Sequence, residues 1–132
     1  MAASVRDLLI ESTEAMHRGD VAAIVDLYHP NAALHAPGGE PIVGREAVTE
    51  YVTTVLAQRP DDFEHEITEE HLHLVTPDLA IVDSVGTSRA GKISGIDAFT
   101  MIAVRNETGE WLWAGIRAAL GPRPSRRAVP TT

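Results

Sequence analysis

Asp83 is the one acid inside the apolar run "AIVDSVG". Facing a protein interior it would lose solvent, its pKa would rise, and it would suit general acid or base work. Facing outward it would be a solvated or interfacial carboxylate, the commoner fate, since buried unpaired aspartates are rare. His35, in "AALHAPGGEP", divides the same way, between a base in a cavity and a structural imidazole behind a strand. Tyr51 and Tyr28 read as phenols on helix faces, which more often fill a core than serve a site. At a cavity wall their hydroxyls would donate to a carbonyl. Arg117 would pair with Asp83 or with a ligand carboxylate, or lie on the surface.

Metal and nucleophile chemistry find less support. His71 and His73 in "HLHL" share one side of a strand, and His65 has the same parity. A two-residue spacing can bring two imidazoles to one metal. No acid or further histidine stands at a ligand spacing, however, and the six acids between Asp61 and Glu70 read as an exposed edge. No metal and no cofactor are expected. With no cysteine in the chain, thiolate ligands, thiol nucleophiles and disulfides are excluded. Ser84 and Ser88 lie in strands with nothing evident to activate them. Gly38-Gly39 is followed by Glu40 and lacks the lysine and helix start that cradle a phosphate.

Such side chains need a container. A length of 132 residues suits one domain with a real core, here read as residues 1–121 followed by a flexible basic tail, 122–132. With Arg123, Arg126 and Arg127 of that tail set aside, 8 basic residues face 19 acids and the body stands near −11. Such a body repels a phosphate backbone, so nucleic acid is not an expected partner. "MAASVRDLLI" breaks off with Arg6 and Asp7 before an apolar run develops, and no stretch is long enough to span a bilayer. A cytoplasmic protein without membrane contact is the expectation.

Periodicity orders the elements. Val5, Leu8, Leu9, Ser12, Ala15 and Met16 make one face of a helix over about residues 2–18, stopped at Arg18-Gly19. Asp20 caps a second helix, "DVAAIVDLYH", ended by Pro30. "AALHA" is a short strand and "PGGEP" a loop. Gly44 opens a third helix with Val48, Tyr51, Val52, Val55 and Leu56 as its stripe, closed by Pro60. "FEHEITEEHLHLV" alternates in two runs with an irregularity near Glu69-Glu70. "LAIVDSVGTSR", "IDAFTMIAV" and "WLWAGIRAAL" follow as strands, the last two joined by a Thr108-Gly109 turn. Parity puts Trp111, Trp113 and Arg117 on one side. Helices ahead of a meander imply an α+β fold, three helices packed on a curved, mainly antiparallel sheet.

That order, with "HRGDVAAIVDLYHPNAALHAPGG", "GREAV" and "NETGEWLWAG", resembles the nuclear transport factor 2-like superfamily, and within it the SnoaL-like and SgcJ/EcaC-type small proteins. The resemblance runs from about residue 5 to residue 120. It implies a cone-shaped barrel with a mostly apolar pocket. Leu34 and Ala36 would face that pocket with His35 behind them. Tyr28, Val55, Phe99, Met101, Trp113 and Arg117 would touch the ligand, and Asp83, His35 and Tyr51 would carry the catalysis. The chain departs from ketosteroid isomerase at each catalytic position. Ala36 stands where the isomerases hold their base, Ser12 near the oxyanion tyrosine, and Ala98 or Met101 near the second acid. The arginine–aspartate pair of limonene-type epoxide hydrolases is also absent.

These features imply a cofactor-independent acid/base enzyme of cyclase, isomerase or epoxide-opening type, acting on a hydrophobic, polyketide-like intermediate. The alternatives are a non-catalytic binder of an apolar ligand and a dimerisation module without ligand. A homodimer through the outward sheet face is expected in every case.

Overall fold

The computed structural model describes residues 2–36 and 39–118; the basic tail lies outside them. Among the described residues the order is α1 (Val5–Arg18), α2 (Val21–Asp26), β1 (Tyr28–His35), β2 (Ile42–Val43), α3 (Arg45–Gln58), β3 (Glu64–Thr76), β4 (Leu79–Ala90), β5 (Ile93–Arg105) and β6 (Trp111–Ala118). The strands form one sheet in the order β2-β1-β6-β5-β4-β3. Every neighbouring pair is antiparallel except β1 with β6. This is the expected α+β architecture.

Local chemistry sets the helix ends. The Ser4 hydroxyl accepts the Asp7 amide at 3.1 Å and starts α1. Gly19, at φ 67°, ends it: the amides of Gly19 and Asp20 close back on the carbonyls of Met16 and Ala15. Asp20 then caps α2 by accepting the Ala23 amide at 3.1 Å. That helix is shorter than expected and stops at Asp26, so Tyr28 belongs to β1 rather than to a helix face. "IV" at 42–43, between the expected loop and the third helix, adds a short edge strand, and β4 turns into β5 tightly at Gly91-Lys92.

Apolar side chains pack between the helices and the sheet. Leu8 and Leu9 of α1 pack with Leu27 and with Ala80, Val82, Met101, Ala103, Trp111 and Trp113 of the sheet. A second cluster joins Ala15, Ile24, Leu34, Val48 and Val52, and Tyr28 and Ile116 pack against both. Trp113, 1% exposed, is the largest fully buried side chain, and its indole Nε1 donates to Ser12 Oγ at 2.7 Å. The helix-side position near which the resemblance sets a tyrosine therefore carries a hydroxyl engaged in holding the core.

Two irregularities decide which side chains face the helices. In β3 the register slips between Ile67 and Glu69, so Thr68 is an extra residue. A bulge of this kind reverses facing on one side of it. In β6 the register slips against β5 between the Ala103–Trp113 and Ile102–Gly115 pairs, which leaves Ala114 over. Trp111 and Trp113 share a side, as expected, and it is the inward one, while Arg117 is exposed and shares the outward row with Thr100. Its assignment to the tryptophan side is thereby corrected.

Candidate functional site

The residues first chosen for chemistry fall on the wrong side of the sheet for an interior site. Along β4, Ala80, Val82 and Ser84 are buried under the helices, while Asp83 is exposed and points outward. Its carboxylate accepts the Thr100 hydroxyl at 2.8 Å. Register places His71, Asp83, Thr100, Arg117 and His35 side by side across five strands. Asp83 and His35 thus lie on the outer face, the commoner fate weighed for Asp83, and the catalytic role given to them in an interior pocket is corrected. Leu34, Met101 and Trp113 are buried in the core, with Phe99 packed against it. Ala36 is half-buried just past β1 and Val55 is exposed on α3. These groups do not converge on one cavity.

Tyr51 lies with Pro41, Ile42, Val43, Ala47, Glu50 and Thr54 along a shallow depression between β2 and α3. Burial pushes the Tyr28 phenol far above its ordinary value, and the neighbouring Tyr51 adds to the effect. Tyr28 consequently stays a protonated phenol and is not a base.

A different set of groups does converge. N-terminal to the β3 bulge, His65 turns to the inner side, opposite Ser88 of β4. Asp97 of β5 stands opposite Gly86 of β4. His65 Nε2 lies 3.8 Å from Asp97 Oδ2, with the two side chains 28% and 38% exposed. The same Asp97 oxygen accepts the Ser88 hydroxyl. Phe63 lies parallel to the His65 ring, with planes 4° apart and centroids at 6.5 Å. The Arg59 guanidinium sits over Phe63, 5.6 Å from its centroid, and donates to the Met16 carbonyl at 2.7 Å. This tethers the strand start to the end of α1.

His65 faces open space. A groove of about 560 Å³ runs between α1 and the edge strand β3, lined by Leu9, Ile10, Thr13, Glu14 and His17 on the helix and His65–Glu70 on the strand. At one end Arg6 is tied to Glu70 at 3.2 Å. Glu14, Glu66 and Glu69 give the remaining rim an acidic character, so the groove disfavours anions and admits neutral ligands over an apolar floor of Leu9, Ile10 and Ile67.

The His65 pKa is lowered below the usual imidazole value, first by loss of solvent, with His17 pushing the same way and Asp97 opposing. The neutral imidazole is thereby favoured. Nε2 is the nitrogen that faces the carboxylate, and a hydrogen held there would leave the Nδ1 lone pair to take a proton. A serine nucleophile does not fit, since Ser88 donates to the carboxylate and not to an imidazole. Nor do the histidines fit a metal. His71 and His73 share the outward side, the bulge sends His65 to the other, and no group of three ligands occurs among the described residues.

Sequence reasoning passed over Asp97 and His17, weighed Ser88 only as a nucleophile, and put His65 on the side of His71 and His73. The available signal was Gly86 in the middle of a strand, a mark of close approach.

The comparisons with known proteins agree with this architecture. The model of the SnoaL-like domain family matches residues 9–112. A search of curated proteins gives no match. Among solved structures, a nuclear transport factor 2-like protein of unknown function from Pseudomonas putida superposes with a TM-score of 0.79 at 16% identity, covering 93% of this chain and 87% of its own. A ketosteroid isomerase-like protein from Erwinia carotovora gives 0.69 at 23% identity, covering 90% and 94%. A protein of the same superfamily from Streptomyces avermitilis, described as a candidate dehydratase, gives 0.76 at 19% identity, covering 92% and 95%.

Proposed function

We propose that this chain, which belongs to the SnoaL-like domain family, is a small-molecule enzyme that uses His65 as a cofactor-independent acid/base group. The observation that carries the reading is an imidazole lining an open groove with a carboxylate behind it. A neutral, hydrophobic ligand of polyketide-like character would lie along Leu9, Ile10 and Ile67. Nδ1 of His65 would take a proton from a carbon next to a carbonyl, and the ligand would become an enolate. Asp97 would steady the imidazolium, and the same proton would return at another carbon or at oxygen, giving isomerisation or cyclisation with nothing consumed. The dehydratase and isomerase-like descriptions of the structural neighbours support chemistry of this class. Groups at Ala36 and Ser12 take no part, because one is a methyl and the other is bound to Trp113.

A second reading, a non-catalytic binder, draws on the 3.8 Å separation of His65 from Asp97, longer than a hydrogen bond. We further propose a homodimer through the outward sheet face, where Ile96 and Ile102 are 45% and 40% exposed beside Ile81 and Val85. No described helix is long and apolar enough to cross a membrane, and a cytoplasmic location is part of the same proposal. The neutral bicyclic ketone 2-tetralone is a suitable probe of the site. Its addition should move the amide resonances of Leu9, Thr13, His17 and His65–Glu70. Shifts confined to the surroundings of Asp83 would overturn the choice of site.

A further inference from the structure

We infer that Gly86 is a positioning residue for His65: the missing side chain at the centre of β4 is what lets the imidazole of β3 reach the Asp97 carboxylate of β5. This rests on the acid/base reading of His65 and adds a residue to it.

The two groups belong to strands that are not neighbours, and β4 runs between them. Gly86 is directly opposite Ile67 on one side and Asp97 on the other. His65, two residues from Ile67, leans diagonally across β4 and occupies the place where a side chain of residue 86 would stand. A Cβ built on Gly86 would come 2.8 Å from His65 Nε2 and 3.2 Å from its Cε1. It would also come 2.8 Å from the Glu66 carbonyl. Contacts this short force something to move: the imidazole has room to swing toward the groove, while relief at the Glu66 carbonyl requires a shift of the β3 backbone. Gly86 is absent from the set of positive-φ glycines, so turn geometry gives no reason for glycine here; close approach does. The flanking residues act in the same sense. Phe63 limits the ring on one side, and Ser88 fixes the carboxylate oxygen that the ring must meet.

The experiment is nitrogen-15 NMR of the histidine side chains in the full chain, which needs no substrate and so separates failure of this inference from failure of the catalytic reading. In the unsubstituted chain His65 should hold mainly the Nε2–H tautomer and titrate below free imidazole. Gly86→Ala should raise the share of the other tautomer and move the titration up toward the free value as the ring swings into solvent. Retention of the original tautomer and titration in Gly86→Ala would overturn the inference. Should that variant not fold, Asp97→Asn carries the same test: it should shift the His65 tautomer ratio, and an unchanged His65 spectrum would show that no contact is made across Gly86.

Discussion

His65 Nε2 stands 3.8 Å from Asp97 Oδ2 across an intervening strand, and a glycine occupies the crossing. Around that relationship the structure arranges a helix-side histidine, a serine hydroxyl on the carboxylate and an open groove. The consequences are specific enough to measure.

Titration comes first. Because desolvation and His17 lower the His65 pKa while Asp97 raises it, His17→Gln should move the His65 midpoint up and Asp97→Asn should move it further down. Histidine ring NMR reads both. Movement in the opposite directions would mean that the imidazole does not sit between these groups.

The same shift has a stability consequence. Folded His65 binds its proton less readily than the unfolded chain, whose imidazole titrates at about 6.5. The unfolded state therefore holds more protons in the window between the folded value and about 6.5, and stability falls as pH drops through that window. His65→Gln should flatten this part of the denaturation profile. An equally steep decline in the variant would assign it to other groups.

Ser12 tests the core. Ser12→Ala leaves the buried Trp113 indole donor without its partner and should cost about 1–3 kcal/mol in chemical denaturation. Ser12→Thr keeps the hydroxyl and should cost less. Equal losses would argue that packing, not the hydrogen bond, is at stake.

The outward face tests assembly. Light scattering at micromolar concentration should give a dimer, and Ile102→Asp, at an exposed apolar position, should give a folded monomer. A monomeric unsubstituted chain would remove the proposed interface.

Much of this architecture was legible in the chain. Gly19, Asp20, Gly44 and Pro60 mark helix ends by their local chemistry, and those boundaries lie where expected. The meander followed from alternation and turn residues. What alternation could not convey was facing, because one surplus residue inverts everything on one side of it. The irregularity in β3 shows in the sequence as a change of phase, but simple alternation puts His65 on the side of His71 and His73, and the surplus residue Thr68 reverses that. Ala114 left no such trace, since the run "WLWAGIRA" is apolar on both sides of it, and Arg117 followed the tryptophans in error. Asp83 and Asp97 look alike in sequence, each a lone acid in an apolar strand. Only the pairing of β4 with β5 shows that one meets a threonine on the outside and the other faces Gly86 and a histidine within.

The central claim is that His65 moves protons for a ligand in the α1–β3 groove. Its most direct measurement is deuterium uptake at the carbon next to the carbonyl of 2-tetralone in deuterium oxide, with and without the protein. The account predicts accelerated exchange that His65→Gln lowers by about 100-fold or more and that Asp83→Asn leaves unchanged. Exchange that survives in His65→Gln, or is lost in Asp83→Asn, would contradict it.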